Sequence, residues 1–149
     1  MSKVFPITPA SIRAFSVIGI VIIPVILIMG LVAYSAINTR FEINGEGLHF
    51  KRAIYGRFIP KESIIVENSR ILNLNADSEL KPVRRTNGIG LPGYSEGWFK
   101  LANGERALLF VSDRVNVIYL PTTEGYSVLL STVNFEEFLE SLKEEWNGY

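Results

Sequence analysis

An uncharged apolar run from Ala14 to Ala36, AFSVIGIVIIPVILIMGLVAYSA, constrains this chain more than any other stretch, and Arg13 and Arg40 stand outside its ends. Wound as a helix at ~1.5 Å per residue, its 23 residues reach about 35 Å, enough to cross a ~30 Å hydrocarbon core with some tilt. Lys3 and Arg13 would suit a secretory signal, and Ala33-Tyr34-Ser35 offers a weak cleavage site. The apolar centre is longer than a signal peptide needs, so the run is expected to stay on the chain as an anchor. It is apolar all round, unlike an ordinary amphipathic core helix. Pro24 sits inside it, as membrane helices tolerate.

This divides the chain into a lead-in over 1–13, a transmembrane helix over 14–36 and one soluble domain over 40–146. Asn38-Thr39 forms a very short linker, so the domain is expected close to the bilayer surface. The basic residues flanking the span do not separate its two sides: Lys3 and Arg13 precede it, and Arg40, Lys51 and Arg52 follow.

Composition narrows the chemistry. Fifteen Lys and Arg balance fifteen Asp and Glu, so no global field points to nucleic acid. There is no cysteine, which excludes disulfides, thiolate metal sites and a cysteine nucleophile. A single histidine, His49, excludes a multi-histidine metal site within one chain. No cofactor is implied. His49 is read as a surface residue on the strand face opposite Leu48 and Phe50.

Beyond Arg40 the pattern becomes short alternating runs broken by turns. Arg40–Ile43 and Leu48–Lys51 flank Asn44-Gly45-Glu46-Gly47 as a hairpin with Phe41, Ile43, Leu48 and Phe50 facing the core. A strand over Arg57–Ile59 ends at Pro60, and Ser63–Val66 and Arg70–Leu74 read as further strand pieces. Gly97–Ala102 and Glu105–Val111 flank Asn103-Gly104. A two-residue type I′ loop there would pair Ala102 with Glu105, Phe99 with Leu108 and Trp98 with Leu109. One face would then carry Phe99, Leu101, Leu108 and Phe110, the other Trp98, Leu109 and Val111. Both faces are apolar, so something must cover the second.

Val115–Leu120 and Tyr126–Leu130 follow as strands, and the chain closes with an amphipathic helix. Asn134 is suited to cap it, with Glu137 three residues on. Phe135, Phe138, Leu139, Leu142 and Trp146 form the apolar stripe; Glu136, Glu137, Glu140, Glu144 and Glu145 form the solvated side. About seven strands and a terminal helix predict a mainly β domain, a small barrel or orthogonal sandwich capped by the helix.

The strand count, the terminal helix and the motif RRTNGIGLPGYSEGWF over Arg84–Phe99 resemble a family of bacterial pleckstrin-homology-like, membrane-anchored proteins. The segments ERALLFVSD, VIYLPTTEGYSVLLS and NFEEFLESL are similar to it as well, so the resemblance covers nearly all of residues 40–143. It implies a PH-like fold, no enzyme chemistry and a single-pass protein of the bacterial inner membrane, with a lean towards a cytoplasmic domain. Phosphoinositide-binding PH domains cluster bases around their first hairpin loop. Here that loop, Asn44-Gly45-Glu46-Gly47, has none and holds one acid.

Two groups of residues are candidate sites. In the glycine-rich stretch, Arg84, Arg85, Thr86, Asn87, Gly88, Gly90, Tyr94 and Trp98 could hold an anion or a partner peptide, through backbone amides and bidentate guanidinium contacts. The plainer reading is an ordered loop lying over the Trp98–Leu109 face. The stretch lacks the Gly-Lys-Ser/Thr of a phosphate-binding loop. Lys51, Arg52, Arg57 and Lys61 could touch anionic lipid headgroups or form an ordinary solvated strand face. The expected function is a membrane-tethered, non-catalytic binding or assembly module with a protein partner or a second copy. The alternative is a small-anion receptor or enzyme using the Arg84–Tyr94 stretch.

Overall fold

Residues 12–147 are described in the computed structural model, and they fall into two compact units, one ending at Tyr34 and the other starting at Ser35. The lead-in expected over 1–13 lies outside the described residues except for Ile12 and Arg13. These two begin helix α1, Ile12–Asn38, which contains Pro24. Its segment Ser16–Asn38 is long and apolar enough to cross a membrane. The last turn of α1, from Ser35, belongs to the second unit. Its carbonyl at Ser35 accepts both from the Thr39 amide at 3.0 Å and from the Thr39 hydroxyl at 2.7 Å. Thr39 alone therefore separates α1 from the first strand.

Among the described residues the second unit is mainly β, as expected, with nine strands in two open sheets, which corrects the closed barrel and the count of seven. Strands β1 (Arg40–Asn44), β2 (Gly47–Lys51) and β3 (Phe58–Pro60) form a small antiparallel sheet in that order. Phe41 lies opposite Phe50 and Ile43 opposite Leu48, as the alternation of the first hairpin predicts. The larger sheet uses β4 (Arg70–Leu72), β5 (Pro82–Leu91), β6 (Tyr94–Leu101), β7 (Arg106–Val111), β8 (Val117–Pro121) and β9 (Ser127–Leu130), in the order β4-β8-β9-β7-β6-β5. Only β7 and β9 run parallel within it. The strand expected at Ser63–Val66 is absent. Two 3-10 turns, Lys61–Ser63 and Val66–Asn68, flank Ile64, which makes one isolated bridge to Thr122.

The register around Asn103-Gly104 differs by one residue from the expectation: Trp98 faces Leu108 and Phe99 faces Ala107. The loop has three residues. The Gly104 amide donates to the Leu101 carbonyl at 3.0 Å, Gly104 sits at φ +88°, and the Leu101 amide returns to the Glu105 carbonyl at 2.8 Å. This is a turn ending in a left-handed glycine bulge, the other loop that favours Asn-Gly. A slip of one residue exchanges the faces of one strand against the other. Trp98, Leu108 and Phe110 thus share one face, and Phe99, Leu101, Ala107, Leu109 and Val111 share the opposite one.

Both faces are covered by the chain itself. On the Trp98 face, Leu48, Phe50 and Ile59 of the small sheet pack together with Leu139 and Leu142. These leucines belong to helix α2, Phe135–Asn147. Phe135, Phe138 and Trp146 complete its predicted stripe, and the Trp146 indole donates to the Asn44 carbonyl at 2.9 Å. On the other face lie Leu72, Leu74 and Leu80. The segment carrying them is stitched down by backbone bonds from Leu74 to Arg114 (2.7 Å), from Asn103 to Glu79 (2.8 Å) and from Ala102 to Lys81 (3.0 Å).

Candidate functional site

The glycine-rich stretch is a hairpin, not a loop. Its first arm is β5, which pairs with β6 on one side and forms the edge of the larger sheet. Gly88 and Gly97 oppose each other in that pair, and Gly97 sits at φ +108°. A Cβ on Gly97 would lie 2.6 Å from the Gly88 Cα and 2.7 Å from the Asn87 carbonyl oxygen. Gly88 and Gly97 therefore serve the close approach of two strands. Two register shifts, between Pro82 and Arg84 and between Arg85 and Asn87, bulge the edge strand. Thr86 lies in the second bulge and donates its hydroxyl to the Trp98 carbonyl at 3.1 Å. Arg84, Arg85, Thr86 and Asn87 are exposed. Arg85 lies over Gly90, its guanidinium 3.6 Å from where a Cβ would sit.

Strand register aligns Arg84 with two further bases, and Trp98 brings one member of the second group, Arg57, beside them. Arg84 faces Lys100, and Lys100 faces Arg106, so three cations line up across β5, β6 and β7. They share the face of Trp98, two residues from Lys100. The Arg106 guanidinium lies over the Trp98 ring at 3.9 Å and that of Arg57 at 4.9 Å, both cation–π distances. All four cations are exposed while Trp98 is buried, with Tyr126 edge-on to it at 5.0 Å. Lys100 and Arg106 escaped the sequence reading because only the cross-strand register brings them beside Arg84.

The rest of the second group does not converge there. Lys51 is ion-paired to Glu42, and that hydrogen bond holds the Glu42 carboxyl below its usual range. Arg52 follows β2 at φ +61°, and Lys61 opens a 3-10 turn; both are exposed. His49, expected at the surface, is half-buried, its ring tilted against that of Phe58 at 4.4 Å, with its Nε2 buried and unpartnered.

Within β6 itself, Glu96 is a buried acid fully inaccessible to solvent. It accepts from the Ser35 hydroxyl at 2.7 Å, the Tyr94 hydroxyl at 2.5 Å and the Tyr55 amide at 2.8 Å. Ser35 in turn accepts from the Ile54 amide at 3.3 Å. Burial, and next the bond to Glu96, push the Tyr94 phenol well above its ordinary value. Tyr94 is thereby a structural partner of Glu96 rather than part of the Arg84 row. A second acid, Glu105, accepts from the Tyr119 and Ser127 hydroxyls on the other side of the sheet. A cleft of about 560 Å³ opens between the end of α1 and the start of α2, walled by Phe41, Phe110, Phe135 and Phe138. Of the candidate residues, only Tyr94 borders it, so Arg84 and Arg85 do not line that cavity.

The model of a family described as the bacterial PH domain matches residues 39–146. Neither the curated proteins nor the solved structures give a match.

Proposed function

The chain belongs to the bacterial PH domain family, and on that premise we propose that it is a membrane-tethered, non-catalytic binding and assembly module. A PH domain suggests a binding role, and the family is generally non-catalytic. The observation that carries the reading is the surface of β5: a ten-residue edge strand, paired on one side only, with exposed arginines continuous with the Lys100–Arg106 row. Such a surface offers charged side chains and, between its bulges, unpaired backbone groups to a partner. The tether is α1, whose Ser16–Asn38 segment supports a single span. Arg52 follows Lys51, which pairs with Arg40 at the start of β1, and would supply a headgroup contact worth about 1 kcal/mol at an anionic surface; Lys61 lies at the opposite end of that sheet, beside the Gly47–Pro60 pair.

Cross-linking in intact membranes, followed by capture of the full chain, tests this. Arg84→Ala with Arg85→Ala is expected to abolish capture of the partner while leaving the fold intact. A folded double variant that retains every partner overturns the site. Extraction with alkaline carbonate tests the tether independently, with retention in the membrane pellet as the expected result.

A further inference from the structure

The row Arg84–Lys100–Arg106, with Arg57 beside it, presents four exposed cations around one indole. Elsewhere on the same unit, α2 presents Glu136, Glu137, Glu140, Glu144 and Glu145, all exposed, with Lys143 the one base of the helix. Among the described residues the single ion pair is Lys51–Glu42, so no cation of the Arg84–Lys100–Arg106 row and no glutamate of α2 is salt-bridged within its own copy, while Arg57 shares the Tyr126 hydroxyl with Glu124. The whole chain carries no net charge, so copies do not repel one another globally.

We propose that the occupant of the basic row is the acidic face of α2 on a second copy of this chain. This rests on the assembly reading above and names the partner for it. The two faces are different surfaces, so the contact is head-to-tail and can repeat from copy to copy. Guanidinium groups suit this role because their fork meets carboxylates bidentately. Glu140 and Glu144, one helical turn apart, project on the same side and give the row two adjacent carboxylates. A protein surface is favoured over lipid because the complementary charge is present on the chain itself, as five exposed glutamates along one helix.

The test uses the full chain in a neutral maltoside detergent, with copy number read by native mass spectrometry and sedimentation. Self-association is expected to rise with protein concentration and to weaken steeply between low and high salt. Arg84→Glu with Lys100→Glu should weaken it at least about tenfold, the factor equivalent to 1.4 kcal/mol. Glu140→Lys with Glu144→Lys should do the same. Mixing the two charge-reversed proteins should restore association, a rescue that misfolding cannot produce. Unchanged association in either variant, or no rescue on mixing folded variants, overturns the proposal. If the basic variant instead loses binding to phosphatidylglycerol vesicles with self-association intact, the row is a lipid surface and the proposal fails. If another protein is captured through Arg84 while copies stay apart, the module reading survives and only the self-assembly inference is lost.

Discussion

The Ser35 hydroxyl donates to the buried Glu96 carboxylate at 2.7 Å across 61 positions of sequence. Two further donors, Tyr94 and the Tyr55 amide, complete the shell of this inaccessible side chain. A hydrogen bond contributes about 0.5–1.5 kcal/mol net, and each buried donor left orphaned adds a desolvation cost of about 1–3 kcal/mol. Glu96→Ala is therefore expected to cost about 3–5 kcal/mol of the second unit's stability, and Ser35→Ala about 1–2. Denaturant unfolding followed by tryptophan fluorescence measures both. A Glu96→Ala loss below about 0.5 kcal/mol would show that the shell contributes no stability.

Stability should also depend on pH in the alkaline range. Tyr94 is raised above the phenol value by burial and by its bond to Glu96. The unfolded chain then loses this proton near pH ~10 while the folded chain keeps it. The stabilisation is fully present below that pH and is lost as pH climbs towards the higher folded value. Tyr119 and Tyr126, also raised chiefly by burial, act in the same direction. Denaturation midpoints between pH 8 and about 11 should fall, and Tyr94→Phe should flatten part of that slope. A parent protein whose midpoint stays constant across the range would contradict this.

The hairpin glycines separate into two kinds. Gly97→Ala would place a methyl 2.6 Å from backbone at Gly88 on a residue already at φ +108°. The expected loss is about 3 kcal/mol or more. At Gly90 the nearest atoms are 3.6–3.9 Å away, in the Arg85 and Phe99 side chains. Gly90→Ala should change stability by less than about 1 kcal/mol. Thermal melts of the two variants side by side decide it; equal losses would mean that strand approach is not the constraint.

Trp98 is unsuitable as a surface probe. It is buried among Leu108, Leu120 and Val128, so Trp98→Ala should cost about 3–5 kcal/mol and confound any binding assay. Arg106→Ala removes the guanidinium stacked on the same ring and should cost only about 0.5–1 kcal/mol. Circular dichroism melts check the contrast, and a folded, fully stable Trp98→Ala would refute the core assignment.

Local patterns carried much of this fold. Alternation in Phe41-Glu42-Ile43 and Leu48-His49-Phe50 predicts the first hairpin, and the stripe from Phe135 to Trp146 predicts α2 packing onto the core. Asn103-Gly104 marks a hairpin but serves two loop types, and choosing the shorter shifts Trp98 by one partner. That slip hid the alignment of Arg84, Lys100 and Arg106, which depends wholly on register. Glu96 was invisible for another reason. Its donors come from positions 35, 55 and 94, and no periodicity links residues that distant. The stretch Arg84–Leu91 reads as a loop because four glycines within 84–97 suggest turns, whereas two of them stand face to face between paired strands.

The position of β9 has a bearing on how the chain matures. It inserts between β8 and β7, parallel to β7, although it emerges after both. Until residues 127–130 leave the ribosome, the β4-β8 pair and the β7-β6-β5 triplet have no common neighbour to join them. A nascent chain up to about Gly125 should hence remain protease-sensitive, with its apolar strand faces available to holding factors, and consolidate abruptly once the last strand slots home.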